Sequence, residues 1–192
     1  RGNAAVHCVI IGFSNGPKGL KKKLYVDKMA FDVSNISPYL VEGSNATVTR
    51  RGMPIGNCPE IIFGSMPNDG GFLILNSSEK QELVDKDPAS EKWIRPFMMG
   101  HDFLHNTERY CLWLEGITPK ELKDMPLVMA RVDKTRLARA KSKRAATREL
   151  SNTPTLFGEV RQPDKNYIAF PAVSSERREY IPIGYLNKDV IA

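Results

Sequence analysis

Residues Arg131 to Leu150 read RVDKTRLARAKSKRAATREL, and this stretch holds the charge of the whole protein. Eight cations, Arg131, Lys134, Arg136, Arg139, Lys141, Lys143, Arg144 and Arg148, stand against only Asp133 and Glu149, a surplus equal to the net charge of +6 of all 192 residues. Elsewhere acids and bases cancel, so the basic character belongs to one local element. Ala, Leu, Arg and Lys are good helix formers, no Gly or Pro interrupts the run, and Asn152 and Pro154 stand just beyond as a stop. A long basic helix near 131–150 is therefore predicted. Leu137, Ala140, Ala145 and Leu150 do not form a stripe wide enough to anchor a core helix, so the element is expected to be polar all round and lightly held. Such a run is either a solvated surface segment or a phosphate-contacting one, in which Lys and Arg displace counterions without reading sequence. Charge alone does not separate DNA, RNA and an anionic membrane.

Working outward, the segments on both sides read as short strands and hairpins with a few helices, which makes the class α+β. On the C-terminal side, Asn166 to Val173 and Glu179 to Leu186 have strand character and are joined by the bend Ser174-Ser175-Glu176-Arg177-Arg178. On the N-terminal side, helical spacing is expected at 78–87, 101–107 and 118–123, where Thr118 and Pro119 make an N-cap and first-turn pair. Short apolar runs at 60–63 and 71–75 read as strands between Gly, Pro, Asn and Asp. The stretch Gly64 to Gly71 reads as turns. The opening AAVHCVIIGF and the later KLYVD are expected to form a hairpin across the loop SNGPKGLKK. The absence of Met or a targeting pattern at the start suggests a piece cut from a longer protein, with residues 1–30 closing a preceding domain and 31–192 forming a second one.

Chemistry of the catalytic kind is hard to place. The glycines between Gly12 and Gly19 lack the Gly-Lys-Ser/Thr ending of a phosphate loop. His101 and His105 are spaced for one helix face but have no neighbouring Glu and no third ligand, and Asp164 with Glu159 is too sparse for a nuclease site. No catalytic and no metal-binding residue is assigned. Cys8, Cys58 and Cys111 are odd in number and follow no metal-ligand spacing, which points to a reducing cytoplasm. No apolar run nears the roughly 18 residues that span a bilayer, so no membrane partner is expected. The bend is different: Ser174, Ser175, Glu176, Arg177 and Arg178 at the tip of a β-ribbon supply what base edges in the major groove bond, since Arg pairs bidentately with guanine and Glu accepts from cytosine. The alternative is internal ion pairing, with Glu176 held by Arg177 or Arg178.

The ordered segments AAVHCVIIGF, ISPYLVEG, GSMPNDGGFLIL, KWIRPFMMG, ERYCLWL and SSERREYIPIGYL resemble the target recognition domain of MmeI-like fused type II restriction and adenine-N6 DNA methyltransferases and of related stand-alone DNA methyltransferases. The resemblance runs over nearly the whole chain. It implies a non-catalytic module that recognises a double-stranded DNA sequence, attached to its own upstream methyltransferase domain. That domain uses S-adenosylmethionine and is found with or without a fused endonuclease. The fragment itself would hold no cofactor. KWIRPF is similar to a segment of many adenine-methyltransferase recognition domains; Trp93 and Phe97 are expected in the core, whereas Lys92 and Arg95 join the basic run as phosphate contacts. Phosphates would position the domain, and the ribbon and loops would read bases. The alternative is an interaction or spacer domain whose basic helix docks on a partner protein or on the catalytic domain.

Overall fold

A computed structural model describes residues 8–16, 19, 21–175 and 177–192. The chain divides into two units, Arg1–Glu60 and Ile61–Ala192. In the first, β1 (Lys22–Val26) pairs antiparallel with β2 (Met29–Val33), Lys22 opposite Val33 and Val26 opposite Met29. Asp27 and Lys28 form the two-residue turn with φ of 48° and 68°, the backbone hand that matches the twist of paired strands. The expected hairpin is thus replaced: KLYVD pairs forward, not back, and 8–13 contain no strand. Ala5 to His7 and part of the loop lie outside the described residues. The division expected after residue 30 falls inside β2.

The second unit is built on a three-stranded antiparallel sheet in the order β3 (Ile74–Leu75), β5 (Tyr110–Leu112), β4 (Ile94–Pro96). Leu73, Leu75, Phe97, Cys111, Leu112 and Leu114 bury their side chains there against Leu83, Met125, Val128, Val132, Phe157 and Ile191. Trp93 packs on this core and Phe97 lies inside it, as expected. The end of the chain is stitched in as well, with Ile191 N–H donating to Pro96 O and Met98 N–H to Ile191 O at 2.9 and 2.8 Å. Burial drives the Cys111 thiol up to about 12, so it behaves as a small apolar side chain. The run 60–63 is not a strand; pairing starts at Met66, which bridges Glu159.

Helices follow the caps written in the sequence. α1 (Ser77–Lys86) opens on a capping box between Asn76 and Glu79, and the five-residue α3 (Pro119–Lys123) on one between Thr118 and Glu121; each box satisfies two backbone donors that the helix leaves open. α2 (Gly100–His105) closes on Asn106 in the left-handed region. Its Asp102, fully buried, accepts from Met99 N–H and the Thr107 hydroxyl and pairs with Arg109 at 3.1 Å.

The long basic helix is two helices. α4 (Pro126–Ala140) starts five residues earlier than expected, the chain turns at 141–144, and α5 (Ala145–Glu149) follows, passing into a 3-10 turn at Leu150–Asn152. α4 is also firmly anchored, contrary to expectation. Its buried stripe is Val128, Val132, Thr135 and Arg139, which begins upstream of the basic run and ends in a cation. Met125 offers α4 no cap, and the buried Asp87 supplies one: its carboxylate accepts from Leu127 and Val128 N–H at 2.7 and 3.3 Å. A carboxylate at this end also meets the positive pole of the helix.

Arg139 is 1% exposed, and each of its five N–H donors finds a backbone carbonyl: Pro67, Asn68, Leu150, Thr153 and Leu156. The turn it grips, Pro67 to Gly71, has Asn68, Gly70 and Gly71 at positive φ. A Cβ on Gly70 would meet Ala138 Cβ at 3.0 Å, so the turn lies directly against α4. Arg139→Ala is expected to cost on the order of 3–5 kcal/mol, because it opens a large void and leaves buried carbonyls short of donors. Arg139→Lys, with three donors for five acceptors, should recover only part of that. Equilibrium denaturation checks both; a loss under 1 kcal/mol for Arg139→Ala would contradict the role given to it.

Candidate nucleic-acid interface

The eight cations of the basic run fall into two groups. Arg139 is a core residue and is withdrawn as a phosphate contact. Arg131 is half-buried, pairs with Glu79 at 2.8 Å and donates to Phe72 O at 3.1 Å, fastening α4 to the start of α1. The backbone bond at Asn76 and this guanidinium hold the Glu79 carboxyl below the usual range. Arg148 is exposed but bent back, donating to Ser142 O and Lys143 O at 3.0 Å each. These three arginines hold backbone, which five fixed donors in a planar fork do well.

The outward group is Lys134, Arg136, Lys141, Lys143 and Arg144, all exposed. Arg136 pairs with Asp133 at 2.9 Å, and Lys134 lies 6.0 Å from the Phe72 ring centre. Lys141, Lys143 and Arg144 form no salt bridge among the described residues. They cluster on the turn between α4 and α5, whose carbonyls Arg148 ties down. Break and staple together gather three free positive charges on a small, fixed piece of surface. Sequence reasoning counted the charges correctly and could not see that the helix stops among them.

Lys92 and Arg95 lie on other elements, the 3-10 turn Pro88–Trp93 and β4. Lys92 is engaged by Glu121 at 2.6 Å; Arg95 is exposed. The ribbon is shorter than expected, with β6 (Tyr167–Ala169) paired to β7 (Gly184–Leu186) over three residues each. The ladder ends there, and residues 170–183 form a loop that holds Ser174, Ser175, Arg177 and Arg178 exposed. Ser175 fixes part of the bend by accepting from Arg177 N–H through its hydroxyl and from Arg178 N–H through its carbonyl. Glu176 lies outside the described residues.

An open groove of about 470 Å³ runs beside Asp69, Asn76, Glu79, Met99 and Arg109. Its charged groups are occupied: Asp69 caps the amides of Gly71 and Leu73, Glu79 meets Arg131, and Arg109 meets Asp102. Among the described residues there is no cluster of three metal-ligating side chains.

A family model described as the MmeI target recognition domain matches residues 42–192. The chain belongs to this family. It is 38% identical over 191 residues to DNA methyltransferase A of Bacillus subtilis (strain 168), covering 100% of this chain and 22% of that protein. A solved structure of the Type IIL restriction-modification enzyme MmeI in complex with DNA superposes with a TM-score of 0.81 at 37% identity, over 89% of this chain and 24% of that one. The chain thus spans less than a quarter of the length of these relatives. In this MmeI-type recognition domain the cationic turn, the 170–183 loop, Lys92 and Arg95 all lie within the matched residues.

Lys92 and the two bonds from Thr118 hold the Glu121 carboxyl down to about 2. The cap of α3 is therefore complete above the ordinary carboxylate range and is lost as pH falls through that range toward about 2. An NMR titration of the Glu121 carboxyl and of the Thr118 and Glu121 amides should show a midpoint well under 4.5; a midpoint at or above that ordinary value would rule out the charged cap.

Proposed function

We propose that this chain chooses the duplex DNA sequence on which a bacterial restriction-modification methyltransferase acts. The observation that carries this reading is the α4–α5 turn, where Lys141, Lys143 and Arg144 stand exposed and unpaired among the described residues of a domain of the MmeI recognition family. Those three, with Lys134, Arg136 and Arg95 as flanking contacts, meet DNA phosphates and set position and salt dependence. The 170–183 loop reads bases through Ser174, Ser175, Glu176, Arg177 and Arg178.

The parent protein transfers a methyl group from S-adenosylmethionine to adenine N6, and this chain supplies specificity rather than catalysis. Its partners are duplex DNA and the upstream catalytic domain, in the cytoplasm. The hairpin β1–β2 belongs with that upstream domain. Two strands alone are marginally stable in water, Tyr25, Val26, Met29 and Phe31 are exposed on it, and the family match begins only at residue 42. Base extrusion and methyl transfer need the duplex held in place, which is the part this chain would play.

Changing Lys141, Lys143 and Arg144 together to Glu leaves the Arg139 and Arg131 anchors intact. It should lower the slope of log affinity against log salt by about 0.9 for each phosphate that is no longer neutralised. Unchanged DNA affinity across a salt series would assign the basic turn to a protein partner instead. Arg178→Ala should alter preference at one base position by about 1–3 kcal/mol, read by selecting bound duplexes from a randomised pool. Uniform weakening across all sequences would make Arg178 a phosphate or scaffold residue.

A further inference from the structure

The ribbon β6–β7 departs from the pattern of a sheet with one face packed. Exposure alternates along both limbs: Tyr167, Ala169, Gly184 and Leu186 turn inward, while Ile168, Phe170, Ile181, Ile183 and Tyr185 turn outward. The inner face is seated on α2, so closely that a Cβ on Gly184 would come within 2.6 Å of Phe103 Cε2. An antiparallel sheet packed on one face presents polar side chains on the other. Here all five outward positions are apolar, and Ile168, Ile183 and Tyr185 are 66%, 66% and 71% exposed. Val173 and Tyr180 extend the same chemistry into the loop at 80% and 78%. Contiguous exposed apolar surface of this kind marks an interaction site.

Charge decides which partner it fits. Surfaces that meet DNA are more polar and far more positive than those that meet protein. The outward face contains no Lys or Arg. Across 163–192, Asp164, Glu176, Glu179 and Asp189 are balanced by Lys165, Arg177, Arg178 and Lys188, and the surplus charge of the chain lies on 131–150 instead. An uncharged apolar face complements an apolar protein surface. This chain accounts for only 22% of DNA methyltransferase A and 24% of MmeI, so most of those polypeptides lies outside it. We propose that the outward face of β6–β7 together with the adjoining Ile183, centred on Ile168, Ile183 and Tyr185, is the docking surface for the methyltransferase half of the same polypeptide. This rests on the reading given under Proposed function. The ribbon is then clamped between α2 and the catalytic half, and the Ser174 to Arg178 bend of the loop projects toward DNA from a base fixed on both sides.

The test is thiol labelling at Ile183→Cys, with Cys8 and Cys58 changed to Ser, followed by mass spectrometry of the peptide that contains residue 183. A maleimide is applied to the 192-residue chain and to the full-length protein, with and without cognate duplex. Expected are rapid labelling in the 192-residue chain, with buried Cys111 unlabelled as the sign that it is folded, and labelling at least tenfold slower in the full-length protein before DNA is added. Equal rates in the two proteins would overturn the proposal. So would protection that appears only with duplex, which would make the face a DNA surface, or protection that grows with concentration of the 192-residue chain, which would assign it to a second copy. Slow labelling of the dilute 192-residue chain would overturn it as well, because the face would already be covered. Duplex binding measured on the same samples separates the two readings: failure to bind DNA with protection retained removes the recognition function and leaves the docking surface standing.

Discussion

One guanidinium holds the recognition unit together. Arg139 reaches from the last turn of α4 to five carbonyls, two on the Pro67–Asn68 turn and three on the segment after α5. The Pro67, Leu150 and Thr153 carbonyls also accept from the N–H groups of Gly158, Thr153 and Leu156, whereas those of Asn68 and Leu156 take their donor from Arg139, and a buried carbonyl without a donor costs free energy. The glycine turn can therefore lie flat against α4, and the chain can leave α5 and return across the sheet, because one planar cation with a matching set of donors stands between them. Burial pulls the Arg139 pKa down and the nearby Asp69 carboxylate opposes the shift. A guanidinium titrates so high that it keeps its charge in either case.

From this follows how the basic run is used. Charges that look alike in sequence divide into those that hold backbone, Arg131, Arg139 and Arg148, and those that face solvent on a turn made rigid by the first kind. The divide is a matter of helix phase and of where the helix ends. Arg139 falls eleven residues after Val128 on the stripe that Val132 and Thr135 continue, whereas Lys141, Lys143 and Arg144 come after the last α4 turn and escape that stripe altogether. The proposed phosphate surface is thus smaller and better ordered than eight cations spread around one long helix.

The second surface has the opposite chemistry. The ribbon face is apolar and carries no cation, and its strands are short because the chain leaves the ladder after Ala169 and rejoins it only at Gly184. A module with a charged turn on one element and an uncharged apolar face on another is suited to holding two different partners at once, which is what the two proposals require of it.

Much of this was legible from residues 1–192 alone. The α+β class, helices expected at 78–87, 101–107 and 118–123 with the Thr118 cap, the turn character of Gly64 to Gly71, the inward Phe97 and the ordered resemblance to the MmeI recognition domain all rest on local signals: propensity, capping chemistry, glycine and motif order. What failed was set by distant partners. The helix expected over 131–150 starts at Pro126 because Asp87, some forty residues earlier, caps it, and it ends at Ala140 because Arg139 and Arg148 draw the following chain back. The strand KLYVD chose Met29–Val33 as its partner through a two-residue turn with no glycine in it, a turn that propensity does not advertise. Composition and motif order determined what kind of protein this is and that its charge is local. Only the tertiary structure decided which cations are free, because a side chain's availability depends on which remote carbonyls and carboxylates the fold brings within hydrogen-bonding distance.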